Sequence, residues 1–214
     1  MRVRLVHRLQ RRRPMIRTLT LASVLAMLPA AANAQDAADT ITASPDTATE
    51  MQTPQIGLAL GQSAPSVNLV RHTGEATSLS ELMGEKGIAV AFVRSADWCP
   101  YCQKQLKQID DISANLNDLG WPLVAISYDD PEILSKFVRK NSLGFELLSD
   151  PGSEAISAFN LLNEEMKPGS RYFGIPHPAI MFIGTDETVR AVLREEGYKD
   201  RPSLDLILQI AEQL

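Results

Sequence analysis

The chain has 214 residues, 44% hydrophobic, 22% charged and 6% aromatic, an ordinary globular composition that excludes a wholly disordered, collagenous or multi-span membrane protein. The net charge of −5 hides an asymmetry, because residues 1–34 hold seven arginines and no acid, which leaves 14 basic against 26 acidic residues in the remainder. A surface that acidic repels phosphate backbones and anionic headgroups, which excludes nucleic-acid and membrane-surface binding as leading functions.

An arginine-rich stretch to Arg17, an apolar run from Leu19 to Ala32 and the triplet Ala32-Asn33-Ala34 read as a bacterial secretory signal over residues 1–34, with Met15 as an alternative start. The run contains Pro29 and is shorter than the ~20 residues a spanning helix needs, so no membrane span is expected once the signal is removed. Residues 35–55 are rich in Ala, Asp and Thr with few large apolar side chains and are expected to form a disordered linker. Residues 56–214 then form a single domain, in a protein expected to be periplasmic or secreted.

Within that domain, residues 67–70 read as a short strand and Ser78 as the cap of a short helix through Leu82. The run from Ile88 to Val93 is apolar without alternation, as expected of a central strand covered on both faces. From Pro100 the apolar residues recur at helical spacing, Leu106, Ile109, Ile112 and Leu116, and Gly120 ends the helix. Leu123 to Ser127 is the next buried strand, and Asp130-Pro131 opens a helix carrying Ile133, Phe137 and Val138. Phe145 to Leu148 is a strand, a short helix follows around Ala155 to Phe159, and two strands, 179–183 and 188–193, precede a last helix from about Ser203 to Gln213. The order βαβαβαββα predicts an α/β layered fold with a central mixed sheet flanked by helices.

The chemistry falls on the only two cysteines, in Trp98-Cys99-Pro100-Tyr101-Cys102, where the buried strand gives way to the helix. Cys99 sits at a helix N-terminus, where free N–H groups and the positive dipole end favour a thiolate. Cys102 lies one turn on and faces the same side, so Cys99 is expected to attack and Cys102 to resolve. Pro100 suits the first helical turn, at the cost of one N–H donor. Lys104 and Lys107 read as a solvated helix face. A purely structural disulfide would close too small a loop to add much stability, and a zinc site would need four ligands where only His72 and His177 remain outside the leader. Covalent haem attachment would need histidine where Gln103 stands. No metal, flavin or nucleotide cofactor is expected.

The strand, W-C-x-x-C and helix arrangement resembles the thioredoxin superfamily, and the Pro-Tyr pair is similar to that of glutaredoxins. The surrounding frame resembles the peroxiredoxin-like redoxins, the alkyl hydroperoxide reductase and thiol-specific antioxidant group. Gly61-Gln62-Ser63-Ala64-Pro65, Ala125-Ile126-Ser127 with Asp129-Asp130, residues 145–151 and residues 178–183 carry this likeness, which spans about 61–195. It implies a thioredoxin-like three-layer fold. Peroxiredoxins resemble P-x-x-x-T-x-x-C; counted back from Cys99, this chain has Ala96 for the threonine and Phe92 for the proline. The acid that thioredoxins carry six residues before the nucleophile is here Val93, and Asp97 reads as solvated.

The resemblance further implies that Pro178 is a cis-proline facing the disulfide, with His177 against the cysteine pair. There His177 would stabilise the Cys99 thiolate or shuttle a proton, or else face water. Arg171 or Arg94 would polarise a peroxide, as an arginine does in peroxiredoxins. Tyr172 and Phe173 are expected to pack on the last helix, with a place beside the substrate groove as the alternative. Cys99 and Cys102 are thus the expected catalytic pair, supported by Trp98, Pro100, Tyr101, His177 and Pro178. The leading expectation is a thiol–disulfide oxidoreductase acting on thiol- or disulfide-bearing exported proteins and reset by a redox partner. The alternative is an antioxidant peroxidase, in which a Cys99 sulfenic acid is resolved by Cys102.

Overall fold

The computed structural model describes residues 55–214. The expected signal over 1–34, and all but the last residue of the expected linker, lie outside the described residues. The elements in chain order are β1 (Leu69–Arg71), β2 (Ala76–Thr77), a 3-10 turn (Ser80–Leu82), β3 (Gly87–Phe92), α1 (Pro100–Asp110) and α2 (Ser113–Asp118). After these come β4 (Leu123–Ser127), α3 (Pro131–Asn141), β5 (Glu146–Ser149), α4 (Glu154–Ala158), β6 (Ala179–Gly184), β7 (Val189–Leu193) and α5 (Leu204–Gln213).

Among the described residues the strands form one mixed sheet in the order β2-β1-β5-β4-β3-β6-β7. β3, β4 and β5 run parallel, joined by helical crossovers, while β6 is antiparallel to β3 and β7 antiparallel to β6. This is the α/β layering around a central mixed sheet that the element order predicts, and it agrees with the three-layer fold that the resemblance implies. All six residues of β3 are buried, and alternate side chains go to opposite faces. Ala89 and Ala91 join Leu106, Ile109, Leu116, Leu134, Phe137, Ile207 and Ile210 under α1, α2, α3 and α5. Ile88, Val90 and Phe92 pack on the other face with Met181, Ile183, Ile156 and Phe159, beside α4. Small residues on one face of β3 let helices approach closely, and bulky ones fill the thinner layer opposite.

Gly87 opens β3 at φ 147°, where a Cβ would run into the Ile183 carbonyl of β6. The close pairing of the two central strands requires glycine there.

Three local readings are corrected. The helix expected from Pro100 to Gly120 breaks at Asp111–Ile112 into α1 and α2, where the Ser113 hydroxyl donates to the Asp110 carbonyl at 2.9 Å. Ile109, Ile112 and Leu116 stay in one core across the break, so apolar spacing does not reveal it. Ser78 does not cap a helix; its N–H donates to Glu81 at 3.2 Å ahead of a single 3-10 turn. The expected cis bond before Pro178 is absent: among the described residues no peptide bond is cis. The chain reaches β6 from the Leu162–Pro176 bridge and the His177 N–H bond to Leu161 O, 2.7 Å, and keeps the trans form that X-Pro bonds favour by about 0.5–1 kcal/mol.

Candidate active site

β3 ends at Phe92 and α1 begins at Pro100, so seven residues must turn the chain from the sheet edge into the helix. Asp129, just beyond β4, pins this turn. Its carboxylate accepts from the Ala96 N–H at 2.6 Å, the Ser95 hydroxyl at 2.8 Å and the Ser127 hydroxyl at 2.9 Å. The Ser95 oxygen in turn accepts from the N–H groups of Asp97 and Trp98. Burial pushes the Asp129 pKa up, against the lowering by these hydrogen bonds. From the helix side, the Gln103 amide donates to the carbonyls of Ala96 and Asp97.

Cys99 occupies the N-cap of α1 in extended conformation, with Pro100 at the first helical position, as the sequence predicts. The Cys102 N–H donates to Cys99 Sγ at 3.2 Å. The two cysteines form a disulfide with Cα atoms 5.2 Å apart, inside the usual range. Cys99 is 1% exposed and Cys102 0%.

Two connecting segments reach the residues that flank this pair. In the long connection before β6, the ring of Tyr172 meets Trp98 edge-on at 4.7 Å between centroids. The Trp98 indole N–H donates to the Tyr128 hydroxyl at 2.9 Å, and that hydroxyl donates to the Arg171 carbonyl at 2.8 Å. Tyr172 therefore flanks the site and not the last helix, while Phe173 is 47% exposed. In the connection between β7 and α5, Tyr198 stands edge-on to Tyr101, with centroids 6.1 Å apart. The buried Arg94 guanidinium lies 3.8 Å over the Tyr198 ring and donates to the Tyr198 carbonyl at 3.0 Å. Arg201 donates to Cys102 Sγ at 3.7 Å and to Gln105 Oε1 at 2.7 Å.

The structure thus brings Trp98, Pro100 and Tyr101 together with the two cysteines. His177 and Pro178 lie at the same sheet edge, since Ala179 pairs with Phe92. Among the described residues, no hydrogen bond joins the His177 ring to either sulfur. Burial lowers its pKa, and the charges of Arg194 and Arg94 lower it further. Asp97, Lys104 and Lys107 are exposed, as read from the sequence. Asp129, Tyr128, Tyr198 and Arg201 are the residues that sequence reasoning did not assign to the site. For Asp129 the available signal was an acid two residues after a buried strand; nothing local marks the other three.

Residues 60–192 match the family model described as the AhpC/TSA family. Among curated proteins, the chain is 30% identical over 143 residues to the "Putative peroxiredoxin bcp" of Haemophilus influenzae, covering 67% of this chain and 90% of that protein. It is 28% identical over 151 residues to "Peroxiredoxin Bcp" of Escherichia coli K12, covering 71% and 94%. Among solved structures, peroxidoxin BcpB from Mycobacterium tuberculosis superimposes with a TM-score of 0.64 at 22% identity, over 75% of this chain and 99% of that one. The thiol peroxidase from Chromobacterium violaceum gives 0.61 at 21%, over 75% and 90%. These two structural likenesses establish the thioredoxin-like fold.

The periplasmic or secreted placement expected from residues 1–34 is corrected by the same matches. The two Bcp relatives are covered over 90% and 94% of their length, which leaves them no counterpart of a 34-residue leader.

Proposed function

The chain belongs to the AhpC/TSA family and is an oxidoreductase of the thioredoxin-like, peroxiredoxin branch, and from that premise we propose that it reduces hydroperoxides through Cys99 and Cys102. The carrying observation is a disulfide-forming pair at a helix N-terminus, in a chain whose matched relatives are Bcp peroxiredoxins. The reduced Cys99 thiolate attacks the hydroxyl oxygen of the peroxide; the O–O bond breaks, and the alkoxide or hydroxide that leaves takes a proton from water. Cys99 becomes a sulfenic acid, and Cys102 displaces its hydroxyl to form the disulfide and water. A dithiol reductant then returns two electrons and resets the pair.

The threonine of the peroxiredoxin pattern is absent, and Ala96 in its place offers no side-chain hydroxyl. The open end of α1, from which the Cys102 N–H donates to Cys99 Sγ at 3.2 Å, supplies the stabilisation instead. Exchange with disulfides of other proteins, the leading expectation from the sequence, is the weaker reading. Both cysteines are buried, with Trp98 and Tyr101 packed against the cluster that holds them, which favours a small substrate over a docked protein chain.

The test mixes reduced protein with hydrogen peroxide or with oxidised glutathione and follows Trp98 fluorescence in stopped flow. A peroxide rate far above that of a free thiolate, with one peroxide consumed per disulfide formed, is expected. A slow peroxide reaction beside rapid disulfide exchange would reverse the order of the two readings. Trapping of the sulfenic acid in Cys102→Ser is expected on Cys99; its appearance only on Cys102, in Cys99→Ser, would exchange the two roles.

A further inference from the structure

Arg201 is fixed in place before it reaches the sulfur. Its Nη1 donates to the carbonyls of Asp200 at 2.6 Å and Tyr198 at 3.3 Å, and its Nε to Gln105 on the buried face of α1. That leaves Nη2 directed at Cys102 Sγ, 3.7 Å away. The Tyr198 carbonyl accepts from Arg94 as well, so two guanidinium groups converge on one loop beside the disulfide.

Among the described residues, no carboxylate lies within ion-pair distance of either guanidinium. Arg94 Nε, moreover, is buried without a hydrogen-bond partner. Burial, and then the charge of Arg94, hold the Arg201 pKa down to about 10, so it stays cationic at neutral pH. The groups that face it are Arg94, a cation, Asp200, an acid, and the Tyr198 phenol. Arg94 is buried and Arg201 partly so, with Asp200 the acid that faces Arg201, and the group in contact with Arg201 Nη2 that can acquire negative charge is the sulfur of Cys102.

We propose that Arg201 is the charge partner of the Cys102 thiolate, a role that rests on the peroxidase reading for its place in the cycle. In resolution, the Cys102 thiolate forms the S–S bond to Cys99 while the S–O bond of the sulfenic acid breaks, and hydroxide leaves and is protonated to water. In the reset, a thiolate of the dithiol reductant attacks Cys99 Sγ, the S–S bond breaks, and the electron pair departs on Cys102. Negative charge resides on the same atom in both half-reactions, and Arg201 meets it there. Cys99 draws instead on the α1 N-terminus, so each sulfur has its own source of stabilisation.

The experiment measures the pH dependence of iodoacetamide alkylation at Cys102 in the full-length Cys99→Ser protein, alone and combined with Arg201→Met or Arg201→Lys. Cys102 is expected to titrate below the ~8.5 of a free thiol. Arg201→Met raises the midpoint, and Arg201→Lys recovers part of the shift. In the two-cysteine protein, Arg201→Met slows disulfide closure after one equivalent of hydrogen peroxide by about threefold per unit of pKa at pH 7, because the smaller thiolate fraction is partly offset by greater nucleophilicity. The deficit shrinks at pH 9. An ordinary Cys102 midpoint with Arg201 present overturns the proposal, even if Arg201→Met fails to fold. A midpoint indifferent to Arg201→Met, or a shift confined to Cys99 in Cys102→Ser, overturns it too. The alkylation assay contains no peroxide, so a chain inert to hydrogen peroxide sinks the peroxidase reading while the Cys102 midpoint still decides the role of Arg201.

Discussion

The site is assembled from two halves held by different means. The cysteine turn, residues 93–102, grows out of the central strand and is tied to the neighbouring strand by Asp129, with its hydrogen bonds buried. The covering half, Arg171–Tyr172 and Tyr198–Arg201, comes from two connecting segments and is held by ring edges, guanidinium contacts and single hydrogen bonds to backbone carbonyls. The first half fixes where the sulfurs are, and the second fixes what surrounds them. Damage to the first should cost stability and chemistry together, whereas damage to the second should alter rates in a protein that still folds.

The largest effect belongs to the cysteines themselves: Cys99→Ser or Cys102→Ser is expected to abolish catalytic turnover of peroxide with a dithiol reductant, while far-UV circular dichroism stays unchanged. Next comes Asp129→Ala, which strands the Ala96 N–H and two buried hydroxyls and is expected to destabilise the fold by about 2–4 kcal/mol in urea titration. If Asp129→Ala cost less than the loop variants below, the contrast between the halves would fail. The raised Asp129 pKa sets a sign as well. A carboxyl that is more easily protonated when folded contributes stability at low pH that is lost as pH rises through its elevated pKa, so Asp129→Asn should flatten the decline of urea midpoint with pH above the ordinary carboxylate range.

Smaller effects are expected from the covering half. Tyr128→Phe removes the hydroxyl that joins Trp98 to the Arg171 carbonyl, and should cost about 1 kcal/mol or less while changing Trp98 fluorescence and the rate at which the disulfide is reduced. Least of all, Lys104→Gln and Lys107→Gln should leave stability within about 0.5 kcal/mol, since both side chains are exposed on α1. A marked loss of peroxidase rate in either would show that charge on that helix face acts on the site.

The same division decided what could be read from the sequence. β4 lies at Leu123–Ser127 as its apolar run indicated, and Cys99 caps α1 as strand, cysteine and proline in succession require. These are local signals: an unbroken apolar run, a proline at the first turn, a nucleophile at a helix start. β2 was not legible because two residues, Ala76 and Thr77, are too few to show a period. The break between α1 and α2 was hidden because the apolar face continues through it. Arg201 is 99 residues from the sulfur it contacts and Tyr128 is 30 from Trp98, so only the pairing of β3 with β4 and β6 brings them near. The trans bond before Pro178 shows that a family position alone does not fix local geometry.

Exposure of 1% and 0% at the two cysteines makes access to the oxidised protein a matter of gating. A bulky thiol must wait for the buried pair to become exposed, so its observed rate of reduction should climb with concentration and then level off at the opening frequency. A slim dithiol that reaches the sulfurs without such an opening would show no plateau. Molecular girth, more than reducing power, would then decide which reductant keeps the cycle running.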